Sequence, residues 1–253
     1  MIDIEDLSLI RDGKPILHGI STRIPTPGLT AVIGPNGAGK SSLLHCLAGL
    51  QPADAGSLRV NGTEMRQARP ADRARIVALL TQDAPTPPRL TVAELVSFGR
   101  WPHHRGRPGP GDHAIIAESL AAFDLQALAG RRLDTLSGGQ RQRAFVAMAH
   151  AQATPWMLLD EPLAALDPKF ARDIMQRLHG LARPGPQARG IVVVLHDLAM
   201  AARYADWVVA LKGGRLIASA PSAEVMTDAS LSDLFDTEIR VAELQGRPVV
   251  YVA

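Results

Sequence analysis

Gly34-Pro35-Asn36-Gly37-Ala38-Gly39-Lys40-Ser41 fits G-x-x-x-x-G-K-[ST], the spacing of a loop that holds nucleotide phosphates. Gly34, Gly37 and Gly39 leave the backbone free to turn its N–H groups toward phosphate oxygens, and Pro35, Asn36, Ala38 and Ser42 complete the cradle. Lys40 is placed to reach the terminal phosphates, and the Ser41 hydroxyl to ligate Mg²⁺. The motif means little without a strand before it and a helix after it. Both are present: Leu29 to Ile33 is a largely apolar, β-rich run, and Leu43, Leu44, Leu47 and Leu50 follow at helical spacing.

Three further apolar runs lack strand-like alternation, which signals strands buried on both faces of a parallel sheet. Ile76 to Thr81 stops at Gln82, Trp156 to Leu159 at Asp160-Glu161, and Ile191 to Leu195 at His196. In an open α/β sheet ligands bind beyond the carboxyl ends of the strands, so these residues should meet around one phosphate. Asp160 then suits a Mg²⁺ partner, and Glu161 is the carboxylate left to polarise a water as general base. His103, His104 and His113 lack the cysteine or acid spacing of a metal site.

Around these runs, Ile2 to Ile10 and Ile16 to Ile24 alternate about Arg11-Asp12-Gly13-Lys14 and read as an antiparallel pair. A strand over 55 to 62 ends in an Asn-Gly turn, and residues 70 to 75 form a short helix. After Pro85, Pro87 and Pro88, helical spacing runs from Leu90 to Arg100 with Thr91 and Glu94 as a capping box. A loop over 102 to 111 and helices over 112 to 123 and 126 to 130 follow. Ser137 and Gln140 cap a helix to about Ala153, another spans 171 to 182 before Pro184 and Pro186, and 207 to 218 reads as a hairpin. A helix-rich tail and an alternating pair, 239 to 244 and 248 to 252, complete the chain. The predicted architecture is α/β: a phosphate-loop NTPase core with a mostly parallel sheet, an N-terminal antiparallel β subdomain and a helical insertion. One domain is expected, its core at 1 to 83 and 151 to 253 and its helical subdomain at 84 to 150.

At 253 residues and 46% hydrophobic content with only 4% aromatics, the core must be built from aliphatic side chains. Lys plus Arg number 27 against 25 acids, with no dense basic run, so no nucleic-acid footprint is read. The single cysteine, Cys46, lies on the apolar side of its helix and reads as a core residue in a reducing compartment. The N-terminus has no signal-peptide pattern, and no apolar run approaches the roughly 18 residues of a membrane span.

Taken together, GPNGAGKS at 34 to 41, Gln82, LSGGQ at 136 to 140, MLLDEP at 157 to 162, LAALD at 163 to 167 and LHD at 195 to 197 resemble the ATP-binding subunit of an ABC transporter over nearly the whole chain. The resemblance implies ATP and Mg²⁺ as cofactors and two subunits packed head to tail around two ATP molecules. Lys40, Ser41, Gln82 and Asp160 then bind nucleotide and metal, Glu161 is the base, and His196 contacts the γ-phosphate. Ser137, Gly138, Gly139 and Gln140 act on the partner's nucleotide through a helix N-terminus, with Asp167 in the loop crossing the interface. The family often stacks an aromatic on adenine where this chain has Ile10-Arg11-Asp12, so Arg11 is the candidate to stack there.

Residues 90 to 103, including Gly99-Arg100-Trp101-Pro102-His103, together with 195 to 206, are similar to importers for iron chelates, haem or cobalamin. That resemblance implies an integral membrane permease received near Trp101 (which serves either that interface or the core), an external substrate-binding protein, and a peripheral position on the cytoplasmic face of the inner membrane. Two other readings stay open: a soluble ATPase acting on DNA or chromatin, disfavoured because 84 to 150 is too short and proline-rich for a long coiled coil, and a nucleotide sensor without turnover, disfavoured by Glu161 and His196.

Overall fold

The computed structural model describes residues 1–82, 89–104, 106–164, 166–185 and 188–253. Pro85, Pro87, Pro88 and Pro186, which the sequence reads as breaks, lie outside the described residues, as does Ala165 of the LAALD stretch.

β1 (Ile2–Arg11) and β2 (Lys14–Ile24) form an antiparallel hairpin, with Ile2 opposite Ile24 and Arg11 opposite Lys14. β3 (Gly28–Ile33) leads through the glycine loop into α1 (Lys40–Leu47). β4 (Ala55–Val60) and β5 (Thr63–Glu64) join through Asn61 and Gly62, both at positive φ, as an Asn-Gly hairpin turn requires. α2 (Pro70–Ile76) runs into β6 (Val77–Leu80). A helical stretch follows: α3 (Val92–Phe98), α4 (Trp101–His104), α5 (Pro110–Ala122), 3-10 turns at Gln126–Leu128 and Leu133–Thr135, and α6 (Gly138–Ala151). The chain returns through β7 (Trp156–Asp160), α7 (Pro168–Leu181), β8 (Gly190–Val194) and α8 (Leu198–Tyr204). β9 (Trp207–Lys212) and β10 (Arg215–Pro221) pair, and α9 (Ser222–Val225), α10 (Asp228–Phe235) and the hairpin of β11 (Ile239–Leu244) and β12 (Arg247–Val252) follow.

The central sheet has the order β10-β9-β3-β8-β7-β6, parallel from β9 to β6, and a separate antiparallel sheet runs β2-β1-β4-β5. Two cores explain the unbroken apolar runs. Val32, Leu158, Val192, Val194 and Val209 face α1 and the antiparallel sheet, where Ile2, Leu7, Leu9 and Ile20 meet them. Their neighbours Ala31, Met157, Leu159, Ile191 and Val193 face the other way, toward Val96, Phe145, Ile174 and Met175. Each strand therefore buries both faces, and alternation is lost. Cys46 is 2% exposed within the first core, where burial pushes its thiol up to about 11.

Several boundaries differ from the sequence reading. Ile76 ends α2, because the Val77 N–H closes the last turn on the Arg73 carbonyl, and so does not open β6. The expected loop from 102 holds α4. Pro102 sits in its first turn, where a missing N–H costs nothing, and the N–H groups of His103 and His104 reach the Arg100 carbonyl. α5 begins two residues earlier than expected because Asp112 accepts the Gly109 N–H from inside the first turn, and α7 begins at Pro168. The expected helix over 126 to 130 is one 3-10 turn.

His150, near the end of α6, is 3% exposed, and its Nδ1 lies 2.9 Å from the Ser119 hydroxyl. Burial first, and then the charge of Arg189, pushes its imidazole down to about 4. In the unfolded chain the group titrates near about 6.5, so between these values the unfolded state binds more protons. This contribution to stability is complete above about pH 6.5 and is lost as pH falls toward the folded value. We expect urea unfolding to show wild type losing about 2 kcal/mol more than His150→Gln between pH 7 and pH 5. Parallel losses in the two proteins would show that the imidazole is not held neutral.

Candidate active site

The loop from Gly34 to α1 is shaped by two close approaches. A Cβ on Gly34, at φ +145°, would lie 2.0 Å from the Leu211 carbonyl oxygen of β9. On Gly39, at φ +94°, it would lie 2.7 Å from Leu17 Cδ2 and 3.2 Å from the Ile16 carbonyl oxygen. Only glycine serves at either position, and the loop is thereby wedged between β9 and β2.

Lys40 is 5% exposed, and its Nζ donates to the carbonyl oxygens of Gly34 at 2.9 Å and Pro35 at 3.0 Å. Burial draws its ammonium below the ordinary lysine range, against the opposing pull of Glu161 and Asp160. Above the loop opens a cleft of about 630 Å³, floored by Asn36 to Ser42 and walled by Gln82, Glu161 and His196, with Ile16 on one side.

Glu161 follows β7 and is gripped at both oxygens. Gln82, beyond β6, donates from Nε2 to Oε2 at 2.9 Å, while Oε1 accepts from His196 Nε2, beyond β8, at 2.5 Å. The backbone of Glu161 lies at φ +49°, a left-handed conformation that costs a side-chain-bearing residue roughly 1–2 kcal/mol and concentrates at functional sites. Two neighbouring strand ends thus fix one carboxylate at the mouth of the cleft.

Asp160, the last residue of β7, is 2% exposed, and its Oδ1 has no hydrogen-bond partner. Burial pushes its carboxyl up, a hydrogen bond from Ser41 draws it down, and the negative charge of Glu161 raises it again. A buried carboxylate oxygen left unsatisfied beside a serine hydroxyl fits the donor set of a hard divalent cation.

The start of α6 is built by the expected capping box: Ser137 Oγ accepts the Gln140 N–H at 3.3 Å and Gln140 Oε1 accepts the Ser137 N–H at 3.1 Å. Ser137 and Gly138 are exposed, and none of residues 137 to 140 lines the cleft. A Cβ on Gly139 would stand 3.3 Å from Leu166 Cδ2, so the helix start leans on the loop that leads to Asp167. Asp167 is exposed and begins α7 without a side-chain capping bond. Arg11 is exposed at the end of β1 and does not line the cleft; the nearest β1–β2 side chain that does is Ile16. Ile16 carries no polar signal, and its place follows only from the hairpin register and from Gly39 lying against its carbonyl.

The arrangement can cradle an anionic polyphosphate and hold a carboxylate over its end. The family model for ABC transporters matches residues 17–164. The petrobactin import ATP-binding protein FatE of Bacillus anthracis is 39% identical over 98% of this chain and 99% of its own length. The hemin import ATP-binding protein HmuV of Streptomyces coelicolor is 39% identical over 90% of this chain and 81% of its own. Among solved structures, a dimeric ATP-binding cassette bound to ADP and Pi superposes with a TM-score of 0.79 at 25% identity, covering 88% of this chain and 99% of that one. With the loop, the gripped carboxylate and the capped helix in place, the chain belongs to the ABC transporter family, as one of its ATP-hydrolysing subunits.

Proposed function

We propose that this chain drives an importer for an iron chelate or haem, working as a head-to-tail pair on the cytoplasmic face of the membrane beneath a permease. The observation that carries the catalytic part is the grip on Glu161 by Gln82 and His196 at the mouth of the phosphate cleft. The cargo class rests on likeness to proteins named for petrobactin and hemin import.

Within the cleft, backbone N–H groups of the glycine loop bind the phosphates, and the desolvated Lys40 ammonium offsets their charge. Ser41, Asp160 and Gln82 are the residues to hold Mg²⁺, which supplies charge neutralisation on the phosphate oxygens when bound. Glu161 accepts the proton of the attacking water, while Gln82 and His196 hold it in line, and His196 also faces the terminal phosphate.

Because Ser137 to Gln140 stand outside the chain's own cleft, their helix start completes the site of a second copy, with Asp167 and Leu166 at the seam. Each site is then incomplete in a single subunit, which should be nearly idle. Exposed Phe98 and Trp101 form the apolar face for the permease. No helix among the described residues is long and apolar enough to cross a membrane.

Glu161→Gln should lower turnover by roughly 10²- to 10⁴-fold while an ATP-dependent dimer persists in light scattering; wild-type turnover would remove Glu161 from its role. Ser137→Arg should abolish the dimer but leave nucleotide binding by the single subunit intact, and loss of that binding would place the serine in its own cleft instead. The cargo is read by purifying the complex with its permease and finding whether a ferric chelate or haem, presented with the binding protein, raises ATP turnover. A response to neither overturns the assignment.

A further inference from the structure

The last carbonyls of a helix have no partner within it, and α6 finds its partners in an unusual place. Arg100, only 6% exposed, donates from Nη1 to the Ala151 carbonyl at 3.0 Å and the Gln152 carbonyl at 3.5 Å. His103 lies with Nε2 2.7 Å from the same Gln152 carbonyl, which fixes the tautomer carrying hydrogen on Nε2. Arg189, from the approach to β8, donates to the His150 carbonyl at 2.9 Å.

Two of these three clamps come from one short segment. Gly99, just before Arg100, lies so close to α6 that a Cβ would stand 2.2 Å from the Met148 carbonyl oxygen. Asp112 of α5 holds the Arg100 guanidinium from the other side, Nε to Oδ1 at 3.0 Å, so the buried charge is paired as well as hydrogen-bonded. The same segment turns Phe98 and Trp101 outward, 48% and 55% exposed. Its inner face thus grips α6 while its outer face is open to a partner.

We propose that Arg100 and His103 are positioning residues that carry engagement of the Phe98–Trp101 face along α6 to Ser137. The 14 residues of α6 make a rod about 21 Å long, clamped at the end nearest that face and bearing Ser137 at the other. A displacement of the outer face is passed to the helix through hydrogen bonds of 2.7 to 3.5 Å that are buried or half-buried, with no intervening loop. Gln152 ties the same end to the core by donating to the Ala74 and Val77 carbonyls at 2.7 and 3.1 Å, which supplies a pivot. The inference rests on the transport reading above and names how its two ends are joined.

The test uses the assembled permease complex and the single subunit in parallel, with His103→Ala, Arg100→Lys and His103→Gln. We expect His103→Ala to keep basal turnover of the single subunit within about twofold, and to lose about tenfold of the permease-dependent stimulation, the scale of ordinary coupling between sites. Arg100→Lys, which keeps the charge but loses the fork, should lose part of it. His103→Gln, which keeps an N–H donor, should restore most of it. Hydrogen exchange at the final turn of α6 should rise in His103→Ala and not in His103→Gln. Undiminished stimulation in both His103→Ala and Arg100→Lys, or basal and stimulated rates falling in the same proportion, overturns the inference. A wild-type complex that gains no turnover from its permease overturns the transport reading instead.

Discussion

Everything at this site depends on parallel strands ending side by side. β3, β8, β7 and β6 are neighbours in one sheet, and their carboxyl ends deliver the glycine loop, His196, Glu161 and Gln82 to the edge of one cleft, with Asp160 buried beside Glu161. The strands are held in register by cores on both faces, so the positions of Gln82 and His196 relative to Glu161 are set by burial well away from the chemistry. What the cleft adds locally is small: two glycines that admit Leu211 and Ile16, and one carboxylate in a left-handed backbone conformation.

The same geometry accounts for what was legible in the sequence. A strand buried on both faces writes itself as a run without alternation, and the polar residue that stops it marks the strand's carboxyl end; Gln82, Glu161 and His196, which line the cleft, and the buried Asp160 could all be picked out in this way. Capping boxes at Thr91–Glu94 and Ser137–Gln140 are equally local, since donor and acceptor lie three residues apart. Residues whose role depends on tertiary approach could not be read. Ile16 lines the cleft because β2 crosses the glycine loop, and an isoleucine in an alternating strand carries no mark of that. Arg11, named by the resemblance for stacking on adenine, stands exposed at the end of β1 and is not among the residues lining the cleft. The buried pairing of His150 with Ser119 joins residues 31 apart on two helices and was likewise invisible.

The helical stretch shows a further limit of local reading. The sequence reading ends a helix at Arg100 and opens a loop at Pro102, since proline usually breaks helices, but Pro102 occupies the one helical turn where its missing N–H is harmless. Arg100 at the end of the expected helix and His103 in the expected loop carry no mark of burial, although Arg100 is among the most buried charges of the described residues. Their partners at the end of α6 are backbone carbonyls, which every residue has and which no sequence pattern can announce.

The two ends of α6 are treated in opposite ways, and the contrast has a physical reading. A helix gathers partial negative charge at its final carbonyls and partial positive charge at its first N–H groups. Here Arg100 and Arg189, with the ring of His103, satisfy and offset the negative end in a buried setting. At the other end the capping box satisfies only the Gln140 N–H and the Ser137 N–H, and Ser137 and Gly138 remain exposed. The positive end therefore faces outward and stands apart from the chain's own cleft, which is lined by other residues. One end of α6 is thus satisfied inside the fold by side chains from other elements, and the other is closed only by its own capping box.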